Sequence, residues 1–210
     1  MRASILAGVM GLWLAMISTA HAQERAHAEI KNANGKTVGT AALRQTKEGV
    51  TILIQVTDLP QGLHAVHVHS TGKCEAPAFT SAGGHFNPQN LKHGLKNPEG
   101  PHAGDLPDLY VNKDGVGRYG VLIQNVTLDT GKLSILDADG KSIVIHATAD
   151  DNMSDPAGNS GDRIACGVIA QGPLKNNRKV TRELFIARTV LFYALRAYHA
   201  RAVSPALSGL

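Results

Sequence analysis

The sequence is poor in cysteine: only Cys74 and Cys166 occur among its 210 residues. It lacks an apolar run long enough to cross a bilayer, and before residue 175 it lacks a helical hydrophobic period longer than two turns. The missing period argues against a helical body. The shortage of cysteine leaves two alternatives, which are one disulfide or two free thiols that could also bind a metal.

The first 22 residues have the pattern of a secretory signal peptide. Arg2 precedes the apolar segment ILAGVMGLWLAM, and the small residues AHA end at Ala22. A retained membrane anchor is the alternative, but the apolar segment is short and a cleavage pattern follows it. We therefore expect export to the periplasm or the extracellular space. An even cysteine count in an oxidising compartment favours a disulfide, which would leave no thiolate for a metal.

Positive charge is concentrated at the C-terminus. Residues 174–210 contain seven lysines and arginines against Glu183 alone, while the whole chain has a net charge of +4, so the rest is mildly acidic. We divide the chain into a signal peptide at 1–22, one domain at 23–173 and a basic tail at 174–210, and we expect no nucleic-acid partner. The tail has helical propensity and could contact an anionic surface. A poorly ordered appendage is the alternative.

Short β-branched segments separated by turn signals indicate an all-β body. Residues 49–59 alternate with a period close to two. Asn-Gly in NANGK (32–36) and the NKDG turn (112–115) each predict a hairpin. Further strands are expected in SIVIHA (142–147) and RIACGVIA (163–170). This pattern predicts an antiparallel sandwich or Greek-key barrel.

Histidines cluster where the strand rhythm breaks. On a strand, His67 and His69 of HVH share one face, whereas His64 has the parity of Val66 and Val68 and is expected to be structural. Further candidate ligands follow downstream: His85, His93, His102, Asp105 and His146. Imidazoles with one carboxylate suit copper or zinc. Seven groups fill two four-coordinate sites if one imidazole bridges two metals; one site with spare histidines is the alternative.

Six separated motifs carry a resemblance to a known family. GLHAVHVH, GGHFNP, KHG, PHAGDLP, VIHATADD and GNSGDRIACGVI occur in the order found in the copper–zinc superoxide dismutases, and they resemble the secreted bacterial type. The similarity covers residues 26–171. It implies an antiparallel Greek-key barrel with long metal-binding and electrostatic loops, one copper and one zinc per subunit, and superoxide as the substrate.

The resemblance also implies roles for individual residues. The copper ligands correspond to His67, His69, His85 and His146, and the zinc ligands to His85, His93, His102 and Asp105. His85 is the bridge and takes part in catalysis with Arg163, the arginine that guides the anion. Asp150 corresponds to the carboxylate that ties a copper-ligand histidine to a zinc-ligand histidine. Cys74 and Cys166 correspond to the family's disulfide.

The implied function is dismutation of superoxide to O2 and hydrogen peroxide. The alternative is a non-catalytic copper- or zinc-binding protein on the same fold. A zinc hydrolase would need a general base beside an open zinc position, and the sequence contains no motif for one. A homodimer is compatible with the resemblance. The loop at 149–162 holds four aspartates and no lysine. We expect its Asp151 and Asp155 to be solvated loop residues and anion steering to rest on Arg163 with Lys73, Lys92 or Lys96.

Overall fold

The structure, a computed structural model, describes residues 25–172. In this part of the chain there are ten β-strands, a single 3₁₀ turn at Thr80–Ala82 and no α-helix. The strands are β1 (Arg25–Asn32), β2 (Thr37–Thr46), β3 (Gly49–Val56), β4 (Gly62–His64), β5 (Val66–His69), β6 (Leu109–Val111), β7 (Gly117–Ile123), β8 (Ser142–His146), β9 (Arg163–Val168) and β10 (Ala170–Gln171). Among these residues no helix is long and apolar enough to cross a membrane. The predicted all-β class is confirmed.

Strand β3 shows why the sequence alternates. Ile52, Ile54 and Val56 are buried in the main core, whereas Leu53 and Gln55 between them are partly exposed. Successive side chains of a strand point to opposite faces, so one face packs and the other meets solvent. The alternation at 49–59 therefore marks a strand with one buried face, as predicted.

Both predicted hairpins are present and have the same turn chemistry. In the β1–β2 turn, Asn32 Oδ1 accepts two backbone N–H groups and Gly35 has φ 75°. In the β6–β7 turn, Asn112 Oδ1 again accepts two backbone N–H groups and Gly115 has φ 74°. Glycine adopts this left-handed conformation without the steric cost of a side chain.

The strands form one antiparallel sheet whose two ends are neighbours in the chain. The order is β4-β6-β7-β3-β2-β1-β9-β8-β5, and β10 pairs with β1. Strands β4 and β5 stand at opposite ends of this order, yet only Ala65 separates them in sequence. Ala65 N–H donates to Thr148 O at 2.8 Å, and Ala65 O accepts from His146 N at 2.9 Å. The sheet is therefore a nearly closed barrel.

Two cores lie on the two sides of this sheet. In β8, Ile143 and Ile145 enter the main core inside the barrel, whereas Val144 points outward. Phe79 and Ala82, from the long loop after β5, pack on the outer face against Val144 and Cys166 and form a second, smaller core. The outer face of β5, β8 and β9 is thus covered by loop, and polar side chains there can be enclosed.

A disulfide attaches this covering loop to the barrel. Cys74 and Cys166 are bonded, with Cα atoms 5.6 Å apart, and no free cysteine occurs in the described residues. Cys166 lies in β9, three residues after Arg163. The predicted disulfide is confirmed, and it ties the strand of Arg163 to the loop that begins at residue 70.

Three sequence predictions concern residues outside this description. The signal peptide at 1–22 and the basic tail at 174–210 lie outside the described residues, as do the outer ends of the 23–173 domain. They stay predictions.

Replacing both Cys74 and Cys166 by serine should lower the free energy of unfolding of the metal-free protein by about 4–5 kcal/mol. The bond joins residues 92 apart, and the chain-entropy account assigns this magnitude to a loop of that size. Denaturant unfolding of the two proteins measures the difference. Reduced wild-type protein serves as the control and should lose the same amount; equal stability of oxidised and reduced protein would contradict this account.

Candidate metal centre

The centre begins with the alternation of β5. Val66 and Val68 point into the main core, and His67 and His69 point to the outer, loop-covered face, where both are fully buried. His64 lies apart from them. Its Nδ1 is 2.8 Å from His146 O and its Nε2 is 2.8 Å from Pro60 O, so both ring nitrogens have backbone partners. This is the structural placement that its parity predicts.

Loop segments bind the free edge of β5 and bring two more candidate ligands to it. Val68 N donates to Gly104 O, and Phe86 N donates to Val68 O, each at 2.8 Å. These bonds set His85 opposite His69, and Asp105 opposite His67. A Cβ on Gly104 would overlap Val68 O, so the close approach of this loop requires glycine.

A bulge at the start of β9 places Arg163 beside the centre. The pairing of β8 with β9 shifts register between Ile145 and His146, so His146 lies opposite Arg163. Bulges of this kind commonly redirect side chains beside functional sites. His146 keeps the outward parity of Val144, and the extra residue Ile164 turns Arg163 to the same face as His67 and His69.

Four imidazoles converge on one point. One ring nitrogen from each of His67, His69, His85 and His146 lies within 4.8 Å of all the others. Four nitrogens, His67 Nδ1, His69 Nε2, His85 Nε2 and His146 Nε2, are buried and have no hydrogen-bond partner in the described structure. Buried polar atoms are normally bonded, and four unbonded lone pairs at one point are the arrangement a metal ion requires.

The other ring nitrogen of each histidine is held by an oxygen acceptor. His67 Nε2 lies 2.7 Å from Asp150 Oδ2, His69 Nδ1 2.9 Å from Gly83 O, His85 Nδ1 2.9 Å from Asp105 Oδ1, and His146 Nδ1 3.2 Å from Gly161 O. Carbonyl and carboxylate oxygens only accept, so these nitrogens carry the protons in the metal-free protein. The inner nitrogens are then lone-pair donors.

Burial keeps these rings neutral. It is the main cause that lowers the pKa of His69 to about 2, of His85 to about 4 and of His146 to about 3. Neighbouring imidazoles lower each pKa further because a second positive charge nearby is unfavourable. At neutral pH the three side chains therefore present unprotonated inner nitrogens.

A second donor set surrounds Asp105. The Asp105 Oδ1 atom lies 2.9 Å from His85 Nδ1, 3.0 Å from His93 Nδ1 and 3.4 Å from His102 Nδ1. His102 Nδ1 is also 3.4 Å from His85 Nδ1. Zinc–nitrogen bonds of about 2.0–2.1 Å in a tetrahedron place the donor atoms roughly 3.3 Å apart. The group whose donor atoms all lie within 4.8 Å of one another contains His67, not His102, beside His85, His93 and Asp105. The two nitrogens of His67, however, face the first donor set and Asp150, so His102, with its 3.4 Å contacts to Asp105 and His85, is the better fourth zinc donor. His85 belongs to both sets.

Asp105 is held as a carboxylate by its surroundings. Burial alone would raise the pKa of Asp105, but hydrogen bonds from His102, His85 and His93 outweigh it and hold the pKa far below the usual range. Its second oxygen, Oδ2, accepts Gly94 N at 2.9 Å and His102 N at 3.0 Å. The anion therefore remains oriented toward the three imidazoles.

Asp150 links the two donor sets. Its Oδ2 accepts His67 Nε2 at 2.7 Å, and its Oδ1 lies 3.0 Å from His93 Nε2. A Cβ on Gly158, whose φ is +64°, would overlap Asp150 Oδ1 and crowd His93 Nε2, so only glycine allows this packing. Such contacts fix the ring orientation of metal-binding histidines.

Arg163 stands at the entrance to the centre. Its Nη1 donates to Phe79 O and its Nη2 to Gly83 O, both at 2.8 Å, and Gly83 O also accepts His69 Nδ1. Burial lowers the pKa of Arg163, and the guanidinium is held rigidly by two carbonyls. It lines an open pocket of about 500 Å³ together with His85, His102 and His146.

The charges around this pocket differ in part from the sequence expectation. Lys92 lines the pocket, whereas Lys73 and Lys96 are not among its lining residues. Lys92 Nζ lies 3.7 Å from Asp155 Oδ2, so an acid offsets part of its charge.

Asp155 is exposed, as expected of a solvated loop residue, and it also contacts His93 and His102, which was not expected. Its Oδ1 accepts His93 N at 2.8 Å and lies 3.7 Å from His102 Nε2, and the bond from His93 lowers the pKa of Asp155. Asp151 is exposed, and its carboxylate accepts backbone N–H groups of its own loop. No sequence signal distinguishes the two acids.

The backbone carbonyls that fix the histidines were also missed. Gly83 O and Gly161 O determine which nitrogen of His69 and His146 is protonated. A carbonyl belongs to every residue, so its role follows from the fold and not from residue type. The glycines beside these positions were the only available hint.

The chain is similar in sequence to proteins of known family. The sequence profile described as "Copper/zinc superoxide dismutase (SODC)" matches residues 37–169. "Superoxide dismutase [Cu-Zn] 2" of Aquifex aeolicus (strain VF5) is 48% identical over 167 residues, which cover 78% of this chain and 98% of that protein. "Superoxide dismutase-like protein YojM" of Bacillus subtilis (strain 168) is 43% identical over 156 residues, covering 73% and 78%.

The chain is also similar in fold to a solved structure. A SOD-like protein from Bacillus subtilis superposes with a TM-score of 0.66 at 43% sequence identity, covering 68% of this chain and 96% of that one. The family profile spans most of the described barrel and both donor sets. The chain belongs to the copper/zinc superoxide dismutase family.

Proposed function

We propose that this protein is a superoxide dismutase with one copper and one zinc per subunit. Copper is held by His67, His69, His85 and His146, and zinc by His85, His93, His102 and Asp105. The observation that carries the proposal is the convergence of four buried, unbonded ring nitrogens at one point, beside three imidazoles that surround Asp105 Oδ1 at 2.9–3.4 Å.

When bound, copper supplies the redox chemistry: one superoxide gives up an electron and leaves as O2, and a second takes an electron and two protons and leaves as hydrogen peroxide. The chain brings the anion to this point and supplies a proton. Arg163 is a fixed cation at the pocket, and it attracts a small anion. Zinc, which has no redox chemistry of its own, would hold His85 in place.

His85 is the residue suited to proton transfer. Its Nδ1 faces Asp105 and the zinc donors, and its Nε2 faces the other three histidines. The Nε2 atom can therefore take up a proton whenever it binds no metal, and it can release that proton to the departing product. The ring lines the open pocket, so the proton has a route from solvent.

The alternative is a non-catalytic metal-binding protein on the same fold. One relative bears the name "superoxide dismutase-like", so family membership alone does not decide between the two functions. The complete set of four converging nitrogens and the arginine beside it favour the enzyme.

Export of the protein completes the proposal. The signal pattern at 1–22 and the disulfide both suit an oxidising compartment, the periplasm or the extracellular space. The mass of the exported protein tests this: a mature chain that begins at Gln23 supports cleavage, and an intact N-terminus argues against it.

Association is proposed at two surfaces. Leu63 and Tyr110 are paired across β4 and β6 and are 51% and 58% exposed, and this apolar pair suits a homodimer contact. The basic tail at 174–210 suits an anionic surface. Sedimentation of the full chain tests the dimer, and a monomer would oppose it. Binding of the full chain and of a chain ending at Leu174 to an anionic surface tests the tail, and unchanged binding of the shorter chain would oppose it.

Replacing His67 by alanine should abolish dismutation. The change removes one of the four copper donors and also one of the two imidazoles held by Asp150. Activity and copper content of the purified protein measure the effect. His27→Ala is a matched control, because His27 lies on β1 and bonds Gly172 O. Normal activity of His67→Ala would disprove the copper assignment.

Replacing Arg163 by leucine should lower the second-order rate with superoxide about tenfold at low ionic strength. A cation beside the pocket raises the local anion concentration, and salt screens this attraction. Stopped-flow rates over a range of ionic strength measure it. The rate of Arg163→Lys should lie between those of the two proteins, because lysine keeps the positive charge but cannot make both hydrogen bonds to Phe79 O and Gly83 O. An unchanged rate and salt dependence in the leucine variant would exclude the guiding role.

Zinc binding to the metal-free protein should release a proton at neutral pH. Burial would lower the pKa of His93, but the hydrogen bonds to Asp105 and Asp150 at its two nitrogens raise it to about 9. Below that pKa the ring holds two protons, and zinc must displace the one on Nδ1.

Calorimetric zinc titration in buffers of different ionisation enthalpy counts this proton. We expect about one proton per zinc at pH 7, fewer as the pH rises through 9, and weaker zinc binding as the pH falls. The same charge stabilises the metal-free fold fully below the unfolded pKa of about 6.5, and this stabilisation disappears as the pH rises through 9. Zinc binding without proton release at pH 7 would contradict the assignment of His93.

A further inference from the structure

A second carboxylate lies behind Asp150. Asp108 is half-buried directly before β6, three residues after Asp105. Its Oδ1 accepts the backbone N–H of Asp150 at 3.0 Å. The Asp150 carboxylate in turn reaches both donor sets, through His67 Nε2 and His93 Nε2.

The position of the Asp150 backbone decides whether its side chain can bridge. An aspartate side chain has only two rotatable bonds, so its two oxygens meet two separate imidazoles only from a fixed main-chain position. The loop around Asp150 has no regular secondary structure to supply that position. The bond from Asp150 N to Asp108 ties this loop to the segment that carries His102 and Asp105.

We infer that Asp108 is a positioning residue for both metal sites, acting through the main chain of Asp150. The inference rests on the proposed copper and zinc assignments. It gives a role to a residue that contacts neither donor set directly and that lies outside the ligand motifs.

The acceptor oxygen, and not the charge, is the useful feature of Asp108. Burial raises the pKa of Asp108; the bond from Asp150 N lowers it, and the nearby Asp150 carboxylate raises it again. A negative charge is thus unfavourable at this place, whereas an oxygen acceptor is required. Asparagine keeps that oxygen, so Asp108→Asn should preserve the function.

The test compares metal affinities of five variants and wild type, each as the full metal-free chain. Competition with a chromophoric chelator gives the affinities for zinc and for copper, and the visible spectrum of Co²⁺ in the zinc site reports its geometry. Asp108→Ala should weaken both affinities about tenfold, the lower end of the effect found for groups that orient metal ligands. Asp108→Asn should remain within about twofold of wild type.

Two further comparisons separate positioning from general destabilisation. In an Asp150→Ala background, Asp108→Ala should add less than about twofold, because the residue acts through Asp150. Asp114→Ala, which removes a carboxylate from the exposed β6–β7 turn, is the control for net charge and should match wild type. If Asp108→Ala does not fold, Asp108→Leu removes the acceptor at similar volume and serves instead.

The outcomes distinguish this inference from the proposed function. If the wild-type protein does not bind one copper and one zinc, the proposed function is overturned. Wild-type binding with unchanged affinities in Asp108→Ala would overturn only the positioning role. Equal losses in Asp108→Asn and Asp108→Ala, or additive losses with Asp150→Ala, would also overturn it.

Discussion

The metal centre depends on the hydrogen bonds that hold the outer nitrogens of His67, His69 and His146. Each of these bonds ends on a carbonyl or carboxylate oxygen, so the proton is confined to one nitrogen and the lone pair to the other. Burial then keeps the rings neutral. Without these bonds the same histidines could turn, protonate or bond one another, and the converging lone pairs would be lost.

The barrel supplies the rigid half of this arrangement. Strand β5 closes the sheet beside β8 and places His67 and His69 on its outer face. Strand β8 presents His146 on the same face, and the bulge in β9 brings Arg163 to it. The loops supply the other half. They bond the free edge of β5 and are fixed by the disulfide, by Asp150 and by Asp155. Two halves that are distant in sequence thus share one set of polar contacts.

Much of the fold and of the candidate site could be predicted from the sequence, because hydrophobic periodicity indicates strands and residue type indicates turns and metal ligands. Alternation of apolar and polar residues predicted strand β3, and the turn sequences NANGK and NKDG predicted the hairpins. The parity of positions along the strand separated His64 from His67 and His69. Motif order pointed to the family. Asp155 could not be distinguished from Asp151, because both are aspartates in a polar loop and only the folded contacts differ. Gly83 O and Gly161 O carry no signature at all, since their role comes from tertiary placement.

The account makes one central claim: a single imidazole, that of His85, is shared by two metal sites that together catalyse dismutation. The most direct measurement is metal content with activity, on protein purified from an oxidising compartment. The account predicts one copper and one zinc per chain and activity that requires the copper. Full loading of both metals without dismutation, or a single metal at full activity, would contradict it.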